Sequence, residues 1–161
     1  MIDSFIAEKE LDDIDRLLLK TIQSNASLSN VELAKKVNLS PPATHGRMRR
    51  LEQEGYIKNY VTILNREKLG FDLLCFIYVK TSIHQTVQLE AFEAAIVAMP
   101  EVLECHHITG EYDFLLKVVL KDSSDLKNFI GNKLSSHGSI SGIQTSLSYE
   151  EVKSTTALPL K

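Results

Sequence analysis

Apolar positions recur at helical spacing through the first third of the chain. Leu11, Ile14, Leu18 and Ile22 form one stripe with Leu17 beside it, which predicts a helix over about residues 12–25. Asp12, Asp13 and Asp15 crowd its first turn, where the helix dipole favours carboxylates. Ser29 followed by Glu32 is a capping box that opens a second helix, with Val31, Ala34 and Val37 inward. Asn38 tolerates the left-handed conformation that ends a helix. Ser40 caps a third helix, with Pro41 at the first helical position, where a missing N–H does no harm. That helix runs to Glu54, and Gly55 ends it. Two capped helices about three residues apart must cross steeply, which is a helix-turn-helix. Residues 56–64 then turn β-rich and roughly alternating, as a strand or short hairpin that would form a wing.

The rest of the chain has a different rhythm. Residues 71–81 read as an apolar strand and 85–99 as a helix with Leu89, Phe92, Ile96 and Met99 on one side. Strands are expected over 102–109 and 114–120, separated by the turn Gly110, Glu111, Tyr112, Asp113. A helix over 124–137 with Leu126, Phe129, Ile130 and Leu134 inward precedes a strand over 141–152. The order β-α-β-β-α-β is that of the ferredoxin-like sandwich. The expected class is therefore α+β, an N-terminal winged helix-turn-helix over residues 1–64, a linker over 65–70, and a C-terminal ferredoxin-like βαββαβ domain over 71–161. The tail from Lys153 reads as an arm or a frayed end.

Composition adds limits. Hydrophobic residues make up 43% of the 161 and charged residues 24%, so a packed globular chain is expected. The N-terminus carries early acidic residues and lacks the form of a secretion signal, and no stretch approaches the roughly 18 apolar residues of a membrane helix. Cys75 and Cys105 each lie in an apolar run and read as buried free thiols in a reducing cytoplasm. The net charge of −3 hides an uneven distribution: residues 30–68 carry eight basic side chains against four acidic, while 67–161 carry eight against twelve. The basic surplus lies where DNA-binding elements would lie.

The third helix holds the strongest candidate chemistry. At about 100° per residue, Thr44, Met48 and Leu51 fall on the inward arc, and Pro42, His45, Gly46 and Arg49 fall opposite, with Arg50 beside them. The outer face is basic and small near the N-terminus, which suits insertion in the major groove. Ala43 belongs to the same opening turn. His45 can contact a base edge or a phosphate, while Arg47, Arg49 and Arg50 are expected to neutralise phosphate. Ser29, Asn30 and Ser40 can bond phosphates from the helix starts, or serve as caps. The competing reading of this face is a solvated charged helix.

Cys105, His106 and His107 look like a metal cluster, but adjacent strand residues point to opposite faces and nothing nearby has zinc-site spacing, so no metal is expected. Neither a P-loop, a nucleophile elbow nor a paired carboxylate supports an enzyme. The turn Gly110, Glu111, Tyr112, Asp113 reads first as a hairpin. Its amides, hydroxyl and carboxylate could also hold an amino acid.

Long ordered blocks carry a family resemblance: residues 11–16, 29–34, 39–41, 47–57, 104–106, 109–117 and 150–153. On these the chain resembles the leucine-responsive regulatory protein / AsnC family of transcription regulators. The resemblance implies a sequence-specific regulator of double-stranded DNA with no cofactor, acting in the cytoplasm and tuned by a small amino acid such as leucine or methionine. The alternative is an effector-independent architectural DNA-binding protein. It implies homodimers formed through the C-terminal sheets that assemble further, typically to octamers. Carried over by position, the effector pocket comprises Ile108, Gly110, Glu111, Tyr112, Asp113, Phe114, Thr145 and Ser146. Asn38 stands where the family usually has Gly. Gly46 replaces a larger residue and weakens its helix by about 1 kcal/mol relative to Ala, which suggests a distinct operator preference.

Overall fold

The computed structural model describes residues 10–82, 86–136 and 140–160. The chain divides into two compact units, one comprising Met1–Ile63 with Lys153–Lys161 and the other Leu64–Val152.

In the first unit, α1 spans Asp13–Ser24, α2 Asn30–Lys36 and α3 Pro41–Gln53. Each start follows from its cap. Asp12 and Asp15 form a reciprocal capping box on α1, and Ser29 and Glu32 form another on α2. The Ser40 side chain accepts from the Ala43 N–H at the head of α3. Asn38 takes φ 54° and Gly55 φ 78°, so both expected left-handed stops occur. Leu18, Leu19, Leu33, Val37 and Leu51 form the core, with Leu11, Ile14, Ile22, Met48 and Ile57 packed on it.

Two inward assignments differ from the sequence reading. Leu19 is buried and Leu17 exposed, because Leu19 lies about 80° from the Leu11 direction and Leu17 about 120° from it on the other side. On α2, Leu33 is buried and Val31 exposed, since the buried row is Leu33, Ala34 and Val37.

Residues 56–64 do not form a strand among the described residues. Apart from Ile57, which packs on the core, they run exposed, and among the described residues the alternating pattern finds no neighbouring strand; a strand exists only as part of a ladder. The tail also departs from expectation. The sequence reading runs the second domain to residue 161, whereas the segment from Lys153 groups with the first unit. The cause is a long-range contact: the Gln23 amide bonds both backbone polar groups of Leu158, and Leu160 packs on the helical core.

The second unit opens on a 3-10 turn, Glu67–Leu69, with Gly70 at φ 80°. The Arg66 guanidinium donates to the carbonyls of Phe71 and Asp72, so the expected linker is an ordered turn. Strand β1 is Leu73–Thr81, α4 Thr86–Val97, β2 Val102–His107, β3 Phe114–Leu120, α5 Ser123–Asn128 and β4 Ile140–Leu147. The strands make one antiparallel sheet in the order β2-β3-β1-β4, which is the ferredoxin-like arrangement. Alternation sends Cys75, Ile77 and Val79 of β1 and Phe114, Leu116, Val118 and Leu120 of β3 to one face, where they pack with Phe92 and Ile96 of α4.

After α5 the chain widens into a π-helical segment, Phe129–Leu134, rather than continuing as an α-helix. Bonding five residues apart puts Phe129 and Leu134 on one side, and both are buried. The expected start at Gln85 and end at His137 lie outside the described residues. Strand β4 ends at Leu147, not 152: Leu147 pairs with Cys75 near the start of β1, and one further backbone bond, from the Ser148 N–H to the Leu74 carbonyl, closes the ladder. Cys75 is buried as expected, but Cys105 is exposed, since it lies on the edge strand β2.

Candidate functional site

The recognition candidate is α3. Thr44 and Leu51 are fully buried, and Met48 packs on the core, so the inward arc lies where its periodicity put it. Pro42, Ala43, His45, Gly46 and Arg49 are exposed. A Cβ added at Gly46 would meet nothing within 4 Å. Among the described residues nothing requires the smallness of that residue, which leaves room for something outside the chain.

The three arginines separate. Arg47 Nη1 donates to Asp12 Oδ2 at 2.6 Å and to Asp15 Oδ1 at 2.8 Å, and Arg50 Nη2 donates to Asp15 Oδ2. Asp15 is 1% exposed. These two guanidiniums clamp α3 to α1, so each already has carboxylate partners within the chain. Charge pairing with a buried carboxylate outweighs a solvated phosphate-facing posture at positions flanking the inward arc. Arg49 alone of the three has no ion-pair partner among the described residues. Asn30 also has internal work, its amide donating to the Pro41 carbonyl at 2.8 Å and fixing the turn between α2 and α3. The Ser29 hydroxyl donates to Glu32 at 2.7 Å, and Ser40 caps α3.

The clamp also sets acid sensitivity. Its hydrogen bond from Arg47, more than any other cause, lowers the Asp12 carboxyl from 3.8 to about 2. A carboxyl depressed in the folded state contributes stability above its unfolded value and loses it as pH falls through the folded one. Asp12 therefore supports the unit fully above about pH 4, and that support disappears towards pH 2. In Arg47→Ala, the Asp12 carboxyl resonance followed by NMR should titrate closer to 3.8. An unmoved midpoint would mean that Arg47 is not the cause.

The second site candidate is the turn after β2. Gly110 takes φ 125°, a conformation side chains rarely adopt. Asp113 locks the turn: its Oδ2 accepts from the Thr81 N–H at 2.7 Å and from the Thr81 hydroxyl at 2.9 Å. That backbone bond from Thr81 is the main cause holding the Asp113 carboxyl below the usual range. The Asp113 N–H donates to the Val79 carbonyl, and the Ile108 N–H to the Asp113 carbonyl. The Tyr112 hydroxyl donates to Gln144 Oε1 at 2.8 Å, and its ring lies 5.5 Å from that of Tyr78.

Residues 108–113 are thus one ordered feature anchored to β1 and β4. Glu111 is exposed at its tip. Phe114 departs from the pocket expectation: it is buried in the core, stacked on His107 at 4.7 Å and tilted against Phe92 at 5.1 Å. Thr145 and Ser146 take opposite faces of β4. Ser146 shares the face of Gln144, while Thr145 pairs with Ile77 and faces the core side. Thr81, Tyr78 and Gln144 are positioning residues that sequence reasoning missed; only register could reveal them. His106 and His107 also take opposite faces, His106 lying 3.1 Å from Glu104.

The family model for the Lrp/AsnC ligand binding domain matches residues 74–158, and one for a winged helix-turn-helix DNA-binding domain matches 11–58. The chain belongs to the Lrp/AsnC family. It is 35% identical over 150 residues to the transcriptional regulator AzlB of Bacillus subtilis, covering 93% of this chain and 96% of that one. It is 37% identical over 153 residues to the leucine-responsive regulatory protein of Salmonella typhimurium, covering 95% and 93%. Among solved structures it resembles a Neisseria meningitidis transcriptional regulator in complex with L-Met, at 36% identity and a TM-score of 0.90, covering 94% and 97%. The family is one of transcription regulators, not enzymes, and this member carries both its DNA-binding and its ligand-binding domains. No helix among the described residues is long and apolar enough to cross a membrane.

Proposed function

We propose that this Lrp/AsnC regulator acts in the cytoplasm, reads the major groove of double-stranded DNA with the outer face of α3, and is tuned by an amino acid of the leucine or methionine kind. The carrying observation is the division of labour on α3. Arg47 and Arg50 are used internally, which leaves Pro42, Ala43, His45, Gly46 and Arg49 as an unobstructed face. Ser29 and Ser40 stand at helix starts exposed to the same solvent and can add backbone amides to a phosphate.

For the effector, the 110–112 backbone amides suit an α-carboxylate, and the exposed Glu111 suits an α-ammonium. The Asp113 carboxylate is already engaged with Thr81, so it shapes the loop rather than receiving the ligand. Tyr112, Ile108 and Ser146 complete the proposed contacts. The likeness to a regulator solved with L-Met supports this class of ligand. The sheet face opposite α4 carries Phe76, Tyr78 and Leu115, each only half-buried, and supports homodimerisation through the sheets, with octamers as the further assembly.

Selection of bound genomic fragments with and without an amino-acid pool tests the reading. Arg49→Ala should weaken binding to all sequences alike and reduce the salt slope by about 0.9 per lost phosphate contact. An unchanged slope with altered base preference would make Arg49 a base reader. Melting curves in millimolar L-leucine and L-methionine separate a regulated protein, which either ligand stabilises, from an effector-independent architectural one, which neither does.

A further inference from the structure

The first unit contains a segment contributed from the far end of the chain. Gln23, near the C-terminal end of α1, uses its side-chain amide on both backbone polar groups of one residue: Oε1 accepts from the Leu158 N–H at 2.6 Å, and Nε2 donates to the Leu158 carbonyl at 3.2 Å. Leu160 packs on the core cluster of the three-helix module. The side chain of Gln23 thus bonds the main chain of the segment, while Leu160, whose N–H closes a tight turn onto the Leu158 carbonyl, anchors it in the core. Around the contact is a cavity of about 470 Å³ lined by Leu19, Ile22, Tyr56, Tyr60, Val61 and Leu158, among others. The groove is therefore larger than the segment that lies in it.

We propose that this groove is a docking site for a short apolar peptide, that its occupant is the chain's own segment 156–160, and that the docked segment is a strap on the DNA-reading module. Three features of the segment fit this role. Residues 154–160 carry no charged side chain. Pro159 restricts the unbound chain and so lowers the entropy lost on docking. The segment follows β4 of the ligand-binding domain by covalent continuity, so the two units are joined twice along the chain, at Ile63–Leu64 and at Val152–Lys153. The strap acts on the module through α1. Its C-terminal end is held by the strap at Gln23, and its N-terminal end by Arg47 and Arg50 of α3 at Asp12 and Asp15. A helix held at both ends keeps α3 in one place.

The test uses the full chain and the same chain ended after Lys153, with hydrogen exchange of α1 and thermal melting as readouts. Ending the chain at Lys153 should lower the melting temperature by about 4–8 °C and speed exchange along α1. A synthetic peptide of residues 154–161, added at millimolar concentration, should restore both in the shortened chain but not when that chain also carries Gln23→Ala. If the shortened chain does not fold, Gln23→Ala and Leu160→Asp in the full chain replace it, and each should speed exchange of both 156–160 and α1. Unchanged melting and exchange, or a peptide that restores neither, would overturn the proposal.

Discussion

Asp15→Ala should unfold the DNA-reading module more readily than any change on its surface, by about 2–3 kcal/mol. Asp15 is 1% exposed and receives both Arg47 and Arg50. Removing one partner of a buried ion pair costs about 3–5 kcal/mol, because the remaining charge is left without compensation. Here the remaining charges are guanidiniums 28% and 22% exposed, which reach water and reduce the cost. The change also removes half of the α1 capping box. For a unit of this size, the melting temperature should fall by about 10–20 °C. Asp13→Ala, two residues away in the same turn and exposed, should stay within about 0.5 kcal/mol. Equal effects at the two positions would show that the clamp contributes nothing. DNA affinity at low temperature gives a second readout: Asp15→Ala should lose it through a displaced α3, whereas Arg49→Ala should lose it with melting unchanged.

Phe114→Ala should destabilise the ligand-binding domain by about 3–5 kcal/mol, the usual cost of deleting a buried aromatic ring. Phe114 is 1% exposed, between His107 on one side and Phe92 on the other. The void left at the sheet–helix interface cannot be filled by β3, whose backbone is fixed by ladders to both β1 and β2. Phe114→Leu should cost much less, since most of the volume remains. Denaturant unfolding followed by tyrosine fluorescence would measure both. If Phe114 instead lined an open ligand pocket, Phe114→Ala would weaken effector binding with little change in stability.

Asp15 shows where a readable signal was passed over. It lies on the same stripe as Leu11 and Leu18, so helical spacing already turned a carboxylate inward. Arg47 and Arg50, three residues apart, flank the inward arc of α3. A charge on an apolar stripe needs a partner, and two candidates stood on the helix that had to pack there. Reading Asp12, Asp13 and Asp15 together as dipole partners concealed the difference between them. By contrast, no sequence signal could identify Thr81 as the partner of Asp113, because the contact joins residues 32 apart across strand ends. The same holds for Tyr112 with Gln144, where the β1–β4 register brings the side chains together.

The local code was sufficient wherever the partner of a residue lies within a few positions along the chain. Caps at Asp12, Ser29 and Ser40, left-handed stops at Asn38 and Gly55, and the core row Thr44, Met48 and Leu51 follow from short-range hydrogen bonding and helical period. So does the order of strands and helices that makes the second domain ferredoxin-like. Packing between distant segments settled the remainder. It paired Arg47 and Arg50 with Asp12 and Asp15 of α1, placed Phe114 in the core, left residues 56–64 without a ladder, and carried Leu158 and Leu160 back to α1. Each of these depends on which surfaces meet, and a chain written in one dimension encodes that only through the sum of its burial and pairing energies.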